Sequence, residues 1–300
     1  MKYIGLTGAS GLLGKHVIFL LLKKNYKVVA TSRKKPSITH KNLIWKKMDL
    51  SKKIEDSKLR KIFEKAICLV HIGALVPVQG QKKNLNLINK TNVVSSLKLA
   101  NWSKQNNKHF IFISGSVLYK HQDSKNNENS TILRNSRNSY INSKIVSERK
   151  LLTLNKGKFK ITILRVSSLY GFGMNKKRLI PNLLRKISNG KNITIYNNDQ
   201  TEVNFVHAKD VSEAILKCIK YRKFGIFNIA GKKTLSFFKI ASIIKREKRS
   251  KSKIFLKKDN SYQNLNRLDV SIKKSKKILN WLPKIEFKQG LEMIIKKRCI

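Results

Sequence analysis

Cysteine is scarce in this chain of 300 residues, which holds only Cys68, Cys218 and Cys299 and no CxxC pair. An odd, widely spaced set of three thiols supplies neither a disulfide framework nor a zinc ribbon. A reducing compartment suits such a chain, and no metal site is expected. Long apolar runs are missing too, since no stretch reaches the roughly 18 apolar residues of a membrane-spanning helix. We therefore expect a cytoplasmic protein without a membrane span.

Acidic residues are also few. Only 16 Asp and Glu stand against 66 Lys and Arg, which gives a formal net charge of +50 at pH 7. Clustered cations would indicate a nucleic-acid partner, because they displace counterions from phosphates. The 53 lysines are instead dispersed in ones and twos through every segment, which is typical of compositional drift on a solvated surface, so no specific nucleic acid is expected. Hydrophobic residues still make up 41% of the chain, enough for a sizeable core.

The order of apolar segments indicates the fold class. Apolar, β-branched runs alternate with segments of helical spacing from the first residue onward. This alternation predicts right-handed crossovers and a parallel sheet with helices on both faces, that is, a Rossmann-type, doubly wound α/β fold. The predicted strands cover residues 1–7, 27–32, 43–48, 67–72, 110–114 and 161–166, and the predicted helices cover residues 12–24, 54–65, 85–106 and 139–154.

Beyond about Gly171 the elements become shorter and less regular. We therefore predict two interleaved domains, a larger one at residues 1–170 and a smaller C-terminal α/β lobe at residues 171–300. The polar run at residues 120–138 has no periodic apolar pattern and predicts a long loop. Expected in the smaller lobe are strands at 193–196, 203–207, 226–229 and 254–257, and helices at 179–188, 211–221, 235–245, 271–279 and 289–295.

Three glycines, Gly8, Gly11 and Gly14, lie between the first predicted strand and the first predicted helix. Glycine permits a tight turn and a close approach of the backbone to a pyrophosphate, while the helix N-terminus offers free N–H groups and the positive end of a dipole. The turn therefore predicts a dinucleotide site in the larger domain. The predicted contacts in this turn are Gly8, Ser10, Gly11, Leu12, Leu13 and Gly14.

The GxxGxxG spacing, the chain length and the smaller lobe resemble the extended short-chain dehydrogenase/reductases, the NAD-dependent epimerase/dehydratase family that modifies nucleotide sugars. Further matches follow in order: Asp49-Leu50, His71-Ile72-Gly73-Ala74, Thr91-Asn92-Val93, Ile163-Leu164-Arg165, Tyr170-Gly171, Asn204-Phe205-Val206-His207, Phe227-Asn228-Ile229 and Leu279-Asn280-Trp281-Leu282-Pro283. The resemblance thus covers nearly all of the chain. It implies cofactor contacts for Asp49, Leu50, Gly73, Ala74 and Asn92, and a substrate-binding role for the smaller lobe.

Tyr140 and Lys144 lie in the predicted helix at residues 139–154 and match the YxxxK signature of that family. Residues i and i+4 share one face of a helix. The Lys144 ammonium can therefore approach the Tyr140 phenol and lower a pKa that is normally about 10. The resemblance implies that both residues are catalytic and contact the cofactor. The alternative is a tyrosine and a lysine on a solvated helix face.

The hydroxyl that usually accompanies this pair is displaced. In the family a Ser or Thr usually lies four residues before a tyrosine that corresponds to Tyr119, and that register falls on Gly115. We predict that Ser116 replaces it, with Ser114 as the less favoured choice and a site without this hydroxyl as the third possibility. The Thr-Asp-Glu run typical of the family's sugar 4,6-dehydratases is absent, which argues against dehydration.

The end of the second strand bears on the choice of cofactor. NAD-binding Rossmann folds tend to place an acidic residue there, where it accepts a hydrogen bond from the ribose 2′-OH. This chain has Ser32 and Arg33 instead, which suits a 2′-phosphate and favours NADP over NAD. The alternative is that Arg33 is one of many exposed cations. Arg267, which precedes the C-terminal motif, is expected to bind a substrate phosphate.

Together these features predict an NAD(P)-dependent epimerase or reductase that acts on a nucleotide-linked sugar by hydride transfer. Two alternatives stay open. One is a ketoreductase that acts on a non-sugar carbonyl. The other, kept open by Gly115, is a non-catalytic basic binding protein on the same fold. The expected partner is a small-molecule substrate, and a homodimer is among the expected assemblies.

Overall fold

The structure, a computed structural model, describes residues 2–77, 84–120, 124–154, 159–196, 202–257 and 268–296. The strands in these ranges are β1 (Tyr3–Thr7), β2 (Lys27–Ser32), β3 (Leu43–Lys47), β4 (Ala66–His71), β5 (His109–Gly115), β6 (Ile161–Val166), β7 (Ser168–Tyr170), β8 (Ile193–Tyr196), β9 (Glu202–His207), β10 (Gly225–Ile229), β11 (Thr234–Ser236) and β12 (Ile254–Lys257). The α-helices are α1 (Leu12–Lys23), α2 (Asp56–Phe63), α3 (Leu85–Asn89), α4 (Ser95–Gln105), α5 (Ser139–Leu154), α6 (Leu179–Ser188), α7 (Ala208–Tyr221), α8 (Phe237–Glu247), α9 (Lys273–Leu279) and α10 (Phe287–Ile295).

Seven parallel strands form the main sheet in the order β10-β6-β5-β4-β1-β2-β3. The six strands β3-β2-β1-β4-β5-β6 have the order of a Rossmann fold, in which the order of successive strands reverses between β1 and β4. The predicted doubly wound α/β fold is therefore confirmed. Strand β10 returns to this sheet from beyond residue 171, and the division into two domains at residue 170 stays a prediction.

Helices cover both faces of the main sheet, so its strands are apolar on both sides. On one face α1 and α7 pack together, with Ile18 and Ile215 fully buried against the strands. On the other face α2, α4 and α5 contribute Phe63, Leu99 and Leu151. Burying each such side chain contributes roughly 1.5–3 kcal/mol. This packing holds the loops that follow the strands in place along one edge of the sheet.

A smaller lobe contains a three-stranded sheet, β11-β9-β7, and a two-stranded sheet, β12-β8. Helices α6, α8 and α10 enclose its own core, in which Ile187, Ile240 and Leu291 are fully buried. The sequence did not predict β7 and β11. Each has three residues, too few for an alternation of apolar and polar residues to be visible. Among the described residues, the pairing partner of both strands is β9.

The helix predicted at residues 85–106 is interrupted by a π-helical turn at Lys90–Val94, between α3 and α4. A π turn adds one residue to a helical turn and is frequent at functional sites. It leaves Asn92 only 1% exposed, and apolar spacing gives no signal for such an insertion. The predicted loop at residues 120–138 is irregular where it is described, apart from the isolated pairings of Tyr119 with Ile132 and of Asn126 with Val270.

The structure shows the positions of two of the three cysteines. Cys68 and Cys218 are free and buried, and burial raises the pKa of both thiols. Cys299 lies outside the described residues. Within the described ranges, no helix combines the length and the apolar character needed to cross a membrane.

Candidate active site

A cavity of about 890 Å³ opens where the order of the strands reverses, over the ends of β1, β2, β4 and β5. This edge is where open α/β sheets bind their ligands. The cavity volume lies within the range typical of ligand sites. Most of the residues predicted from the sequence line it: Gly8, Ser10, Gly11, Leu12, Leu13, Ser32, Arg33, Asp49, Leu50, Gly73, Ala74, Tyr140 and Lys144.

The glycine turn forms one end of the cavity. Gly8 has a φ of +78°, a left-handed conformation that favours glycine. Gly11 caps α1 with extended backbone and donates its N–H to the Gly8 carbonyl at 3.0 Å. Leu12 and Leu13 open the helix at the cavity wall, and N–H groups of a first helical turn have no partner within the helix. This turn therefore fits the pyrophosphate of a dinucleotide.

Gly14 lies behind this turn and does not line the cavity. A Cβ at Gly14 would stand 2.2 Å from the Gly8 carbonyl oxygen, whereas a Cβ at Gly11 would stand 3.3 Å from the same oxygen. Both contacts are with backbone, which cannot rotate away. Gly14 thus permits the close packing of α1 against the turn.

Gly14→Ala should therefore push α1 away from the Gly8 turn. We expect a loss of roughly 1–3 kcal/mol in the free energy of unfolding, as for other overpacked sites, together with weaker cofactor binding. Thermal unfolding and a fluorescence titration with NADH measure the two effects. Gly11→Ala is the matched control and should lose less stability. Equal stability of the two variants would contradict this role of Gly14.

Around the end of β2 the cavity carries both signs of charge. The Ser32 hydroxyl donates to the Lys34 carbonyl at 2.5 Å and accepts from the Trp45 indole N–H at 3.0 Å, so its hydrogen bonds are largely used. Asp49 accepts from the backbone and hydroxyl of Ser51. These bonds, chiefly the backbone one, lower the pKa of Asp49, and Arg33 lowers it further. The exposed Arg33 is thus the cation at this end of the cavity.

Gly73, which lines the cavity wall, is connected to the protein interior by a series of hydrogen bonds. Its N–H donates to the Thr7 hydroxyl at 3.2 Å, and Thr7 in turn bonds His71 Nδ1 at 2.6 Å. His71 Nε2 bonds the Ser96 hydroxyl at 2.8 Å. Burial lowers the pKa of His71 to about 3, with the charge of Lys144 as a smaller cause. His71 is therefore neutral and holds the wall instead of facing the ligand.

Asn92 also acts behind the wall, and it is not among the residues that line the cavity. Its side-chain oxygen accepts from Leu75 N–H at 2.7 Å, and its amide nitrogen donates to the Leu75 carbonyl at 3.0 Å and to the Ser143 hydroxyl at 2.9 Å. Ser143 donates to the Tyr140 carbonyl at 2.7 Å. Asn92 thus links the wall to α5, and the cofactor contact implied by the resemblance stays a prediction.

Tyr140 and Lys144 lie side by side on α5 and both line the cavity. Lys144 Nζ is 6.0 Å from the centre of the Tyr140 ring and 4.6 Å from that of Phe112. It donates to the Ile113 carbonyl at 2.7 Å. Burial lowers the pKa of Lys144 to about 8, although Glu148 raises it. The Lys144 side chain is therefore an ammonium ion at neutral pH, and it loses its proton at mildly alkaline pH.

The pKa of Tyr140 differs from the sequence-based expectation. The sequence predicts that Lys144 lowers the pKa of Tyr140. In the structure burial raises this pKa, and the neighbouring charge that lowers it is that of Arg178. Arg178 precedes α6, lines the cavity and donates to the carbonyls of Val76 at 3.2 Å and Pro77 at 3.3 Å. The sequence offered no signal for Arg178, which is one cation among 66 Lys and Arg.

Ser114, not Ser116, accompanies the pair. Ser114 and Gly115 line the cavity, whereas Ser116 does not. Strand β5 ends at Gly115, and Ser116 begins the 3₁₀ turn at Ser116–Leu118; both serines are buried, Ser114 at 3% and Ser116 at 1% exposure. Ser114 donates its hydroxyl to Glu148 at 2.7 Å. The geometry therefore supports the choice that the sequence favoured less. Arg267 lies outside the described residues, so its phosphate contact stays a prediction.

The fold and the cavity together define a Rossmann-type dinucleotide-binding enzyme in which Tyr140 and Lys144 of α5 line the cavity. The chain belongs to the NAD dependent epimerase/dehydratase family, whose sequence model matches residues 4–230. The family resemblance stated from the motifs is thereby confirmed. The protein is an enzyme of this NAD-dependent family of oxidoreductases and isomerases.

Several similar proteins carry out different reactions. The dTDP-4-dehydro-6-deoxyglucose reductase of Escherichia coli is 24% identical, over 98% of this chain and 97% of that protein. The human dTDP-D-glucose 4,6-dehydratase is 26% identical, over 98% of this chain and 89% of that protein. Among solved structures, the UDP-glucuronic acid 4-epimerase of Bacillus cereus with UDP-glucuronic acid and NAD has a TM-score of 0.85 at 21% identity, covering 98% of this chain and 99% of that one. This last likeness shows a shared fold.

Proposed function

We propose that this protein is an NAD(P)-dependent epimerase or reductase that acts on a nucleotide-linked sugar, with Tyr140 and Lys144 as the catalytic pair. The observation that carries the proposal is that one cavity contains this pair and the glycine turn. The similar proteins support a sugar-nucleotide substrate, since their names contain dTDP- or UDP-linked sugars. A homodimer stays a prediction.

In the proposed mechanism, a bound nicotinamide dinucleotide supplies the hydride acceptor and donor. Tyr140 accepts the proton of the reacting sugar hydroxyl at its phenolic oxygen and later returns it. Lys144 would hold a ribose hydroxyl of the bound cofactor, and the charge of Arg178 favours the phenolate form of Tyr140. Ser114 donates its single O–H to Glu148, so it presents lone pairs to the cavity and accepts a hydrogen bond from a neighbouring sugar hydroxyl.

A substrate panel tests this function. The purified protein is incubated with UDP- and dTDP-linked sugars and with simple ketones, in the presence of NAD, NADH, NADP or NADPH. Absorbance of the reduced cofactor reports net reduction or oxidation, and NMR of the sugars reports epimeric products. Turnover of a nucleotide sugar supports the proposal. Turnover of simple ketones alone favours the ketoreductase, and cofactor binding without any turnover favours the non-catalytic binding protein.

For the cofactor we propose NADP in preference to NAD. The supporting observation is that Arg33 lines the cavity at the end of β2 while the neighbouring anion, Asp49, is already bonded to Ser51. The B. cereus structure contains NAD, so the preference needs its own test.

Arg33→Ala should remove most of the preference for NADPH, because a 2′-phosphate loses its cation. A hydrogen bond to a charged group is worth about 1.5–3 kcal/mol, so we expect NADPH affinity to fall roughly tenfold or more while NADH affinity changes little. Fluorescence titrations of both cofactors measure the ratio. Lys34→Ala, at an exposed neighbour that does not line the cavity, is the control. Equal affinities of the unmutated protein for NADPH and NADH would contradict the assignment.

A further inference from the structure

Behind the catalytic helix lies a buried ion pair between Glu148 of α5 and Arg165 of β6. Arg165 donates to Glu148 Oε1 through Nε at 2.9 Å and also through Nη2. Glu148 is fully buried and Arg165 is 3% exposed. Removing two charges from water is costly, and apolar residues of similar volume often stabilise a core as well. Stability alone therefore does not account for this pair.

The second oxygen of Glu148 reaches the cavity wall. Glu148 Oε2 accepts the hydroxyl hydrogen of Ser114 at 2.7 Å, and Ser114 lines the cavity. A serine has one O–H to donate. Glu148 therefore fixes the rotation of that hydroxyl and directs its lone pairs away from the ion pair. The carboxylate thus contacts the active site through a side chain that lines the cavity.

Glu148 also acts on Lys144, which lies one helical turn earlier on the same face of α5. Burial lowers the pKa of Lys144, and Glu148 is the charge that raises it. The other groups beside Lys144 carry no negative charge at neutral pH. His71 of β4 has a pKa of about 3 and is neutral, the pKa of Tyr140 is raised so that its phenol is neutral, and Ile113 of β5 offers its carbonyl.

Arg165 is anchored independently of Glu148, which keeps the carboxylate in one place. Its Nη1 donates to the Tyr119 hydroxyl at 3.0 Å and to the Glu128 carbonyl at 3.1 Å. Tyr119 donates in turn to Asn228 Oδ1 at 2.6 Å. The guanidinium is thus fixed by the loop after β5 and by β10.

We propose that Glu148 is a positioning residue of the active site: it fixes the Ser114 hydroxyl at the cavity wall, and it places a carboxylate one helical turn from Lys144 on the same face of α5. This inference rests on the proposed function of Tyr140 and Lys144. Arg165 serves the same purpose by holding the carboxylate in place beside Ser114.

Glu148→Gln tests the proposal, since it keeps an oxygen for Ser114 and removes the charge. Without that charge, Lys144 loses its proton at a lower pH. An opposite charge nearby shifts a pKa by roughly 1–3 units, so the alkaline loss of NADH affinity should move by about one pH unit or more toward neutral pH. Fluorescence titration with NADH across the pH range measures this independently of turnover. The alkaline limb of kcat/KM on a verified substrate should move in the same direction.

Two further variants separate charge from folding. Glu148→Gln leaves Arg165 buried and unpaired, which destabilises a core. The double variant Glu148→Gln/Arg165→Gln removes both charges and should shift the pH profile in the same direction. Glu128→Gln is the matched control, because the Glu128 carboxylate lies in the same network and bonds the Asn228 N–H at 2.8 Å, but it does not act on Lys144. Its pH profile should match that of the unmutated protein.

The outcomes distinguish this inference from the proposed function. If either Glu148 variant folds and loses NADH affinity at the same alkaline pH as the unmutated protein, the inference is wrong while the proposed function stands. If neither folds, Glu148 is a structural residue and the inference is equally overturned. If the unmutated protein binds neither NADH nor NADPH, the proposed function itself fails.

Discussion

Tyr140→Phe should reduce turnover of a nucleotide sugar by roughly 10²–10⁴-fold, the usual contribution of a positioned acid or base. The substitution removes only the phenolic oxygen and keeps the ring against its neighbours. Cofactor affinity should therefore remain close to that of the unmutated protein. Steady-state kcat and an NADH titration measure the two quantities on the same preparation.

The control for this variant is a tyrosine that is remote from the cavity. Tyr221 lies at the end of α7, is 45% exposed and does not line the cavity. Tyr221→Phe should leave turnover unchanged. A Tyr140→Phe variant with full activity on a verified substrate would show that the catalytic assignment is wrong, whatever the fold.

Lys144→Met should reduce both turnover and cofactor binding, because the ammonium is proposed to hold the ribose of the cofactor beside Tyr140. A hydrogen bond from a charged donor is worth about 1.5–3 kcal/mol, so the dissociation constant for NADH should rise roughly 10–100-fold. Turnover should fall by roughly 10²-fold or more. Methionine keeps the apolar stem of the lysine beside Phe112, which limits the structural damage. NADH titration and steady-state kinetics measure both losses.

Lys150 provides the matched control on the same helix. Its side chain is exposed and does not line the cavity, so Lys150→Met should change neither quantity. An unchanged NADH affinity in Lys144→Met would contradict the proposed contact with the ribose. Because 53 lysines are dispersed over the chain, this comparison also shows whether the effect belongs to one position or to the general positive charge.

Local patterns were sufficient for the order of the elements other than β7, β11 and the π-helical turn, and for the two main motifs. Helix Ser139–Leu154 and strands Lys27–Ser32 and Ile161–Val166 have the bounds that their apolar spacing predicts, because side-chain periodicity reflects which face is buried. The turn from Gly8 to Gly14 and the i, i+4 pair of Tyr140 and Lys144 are equally local. Their geometry follows from neighbours in the chain, so the sequence is enough to predict them.

The surroundings of the catalytic pair were visible only in the folded chain. Ser114 meets Glu148 from 34 residues away, and Arg178 meets Val76 from 102 residues away. The sequence analysis favoured Ser116 because the spacing to Tyr119 does not show where β5 ends. In the structure β5 ends at Gly115 and a 3₁₀ turn follows.

The charge states depend on the fold in the same way. The sequence predicts a lowered pKa for Tyr140, whereas burial raises this pKa in the folded protein. Burial likewise brings the pKa of Lys144 down to about 8. Such shifts are set by how completely a side chain is removed from water and by which charges approach it through space. Neither quantity is a property of residues adjacent in the chain, so the tertiary structure alone decides them.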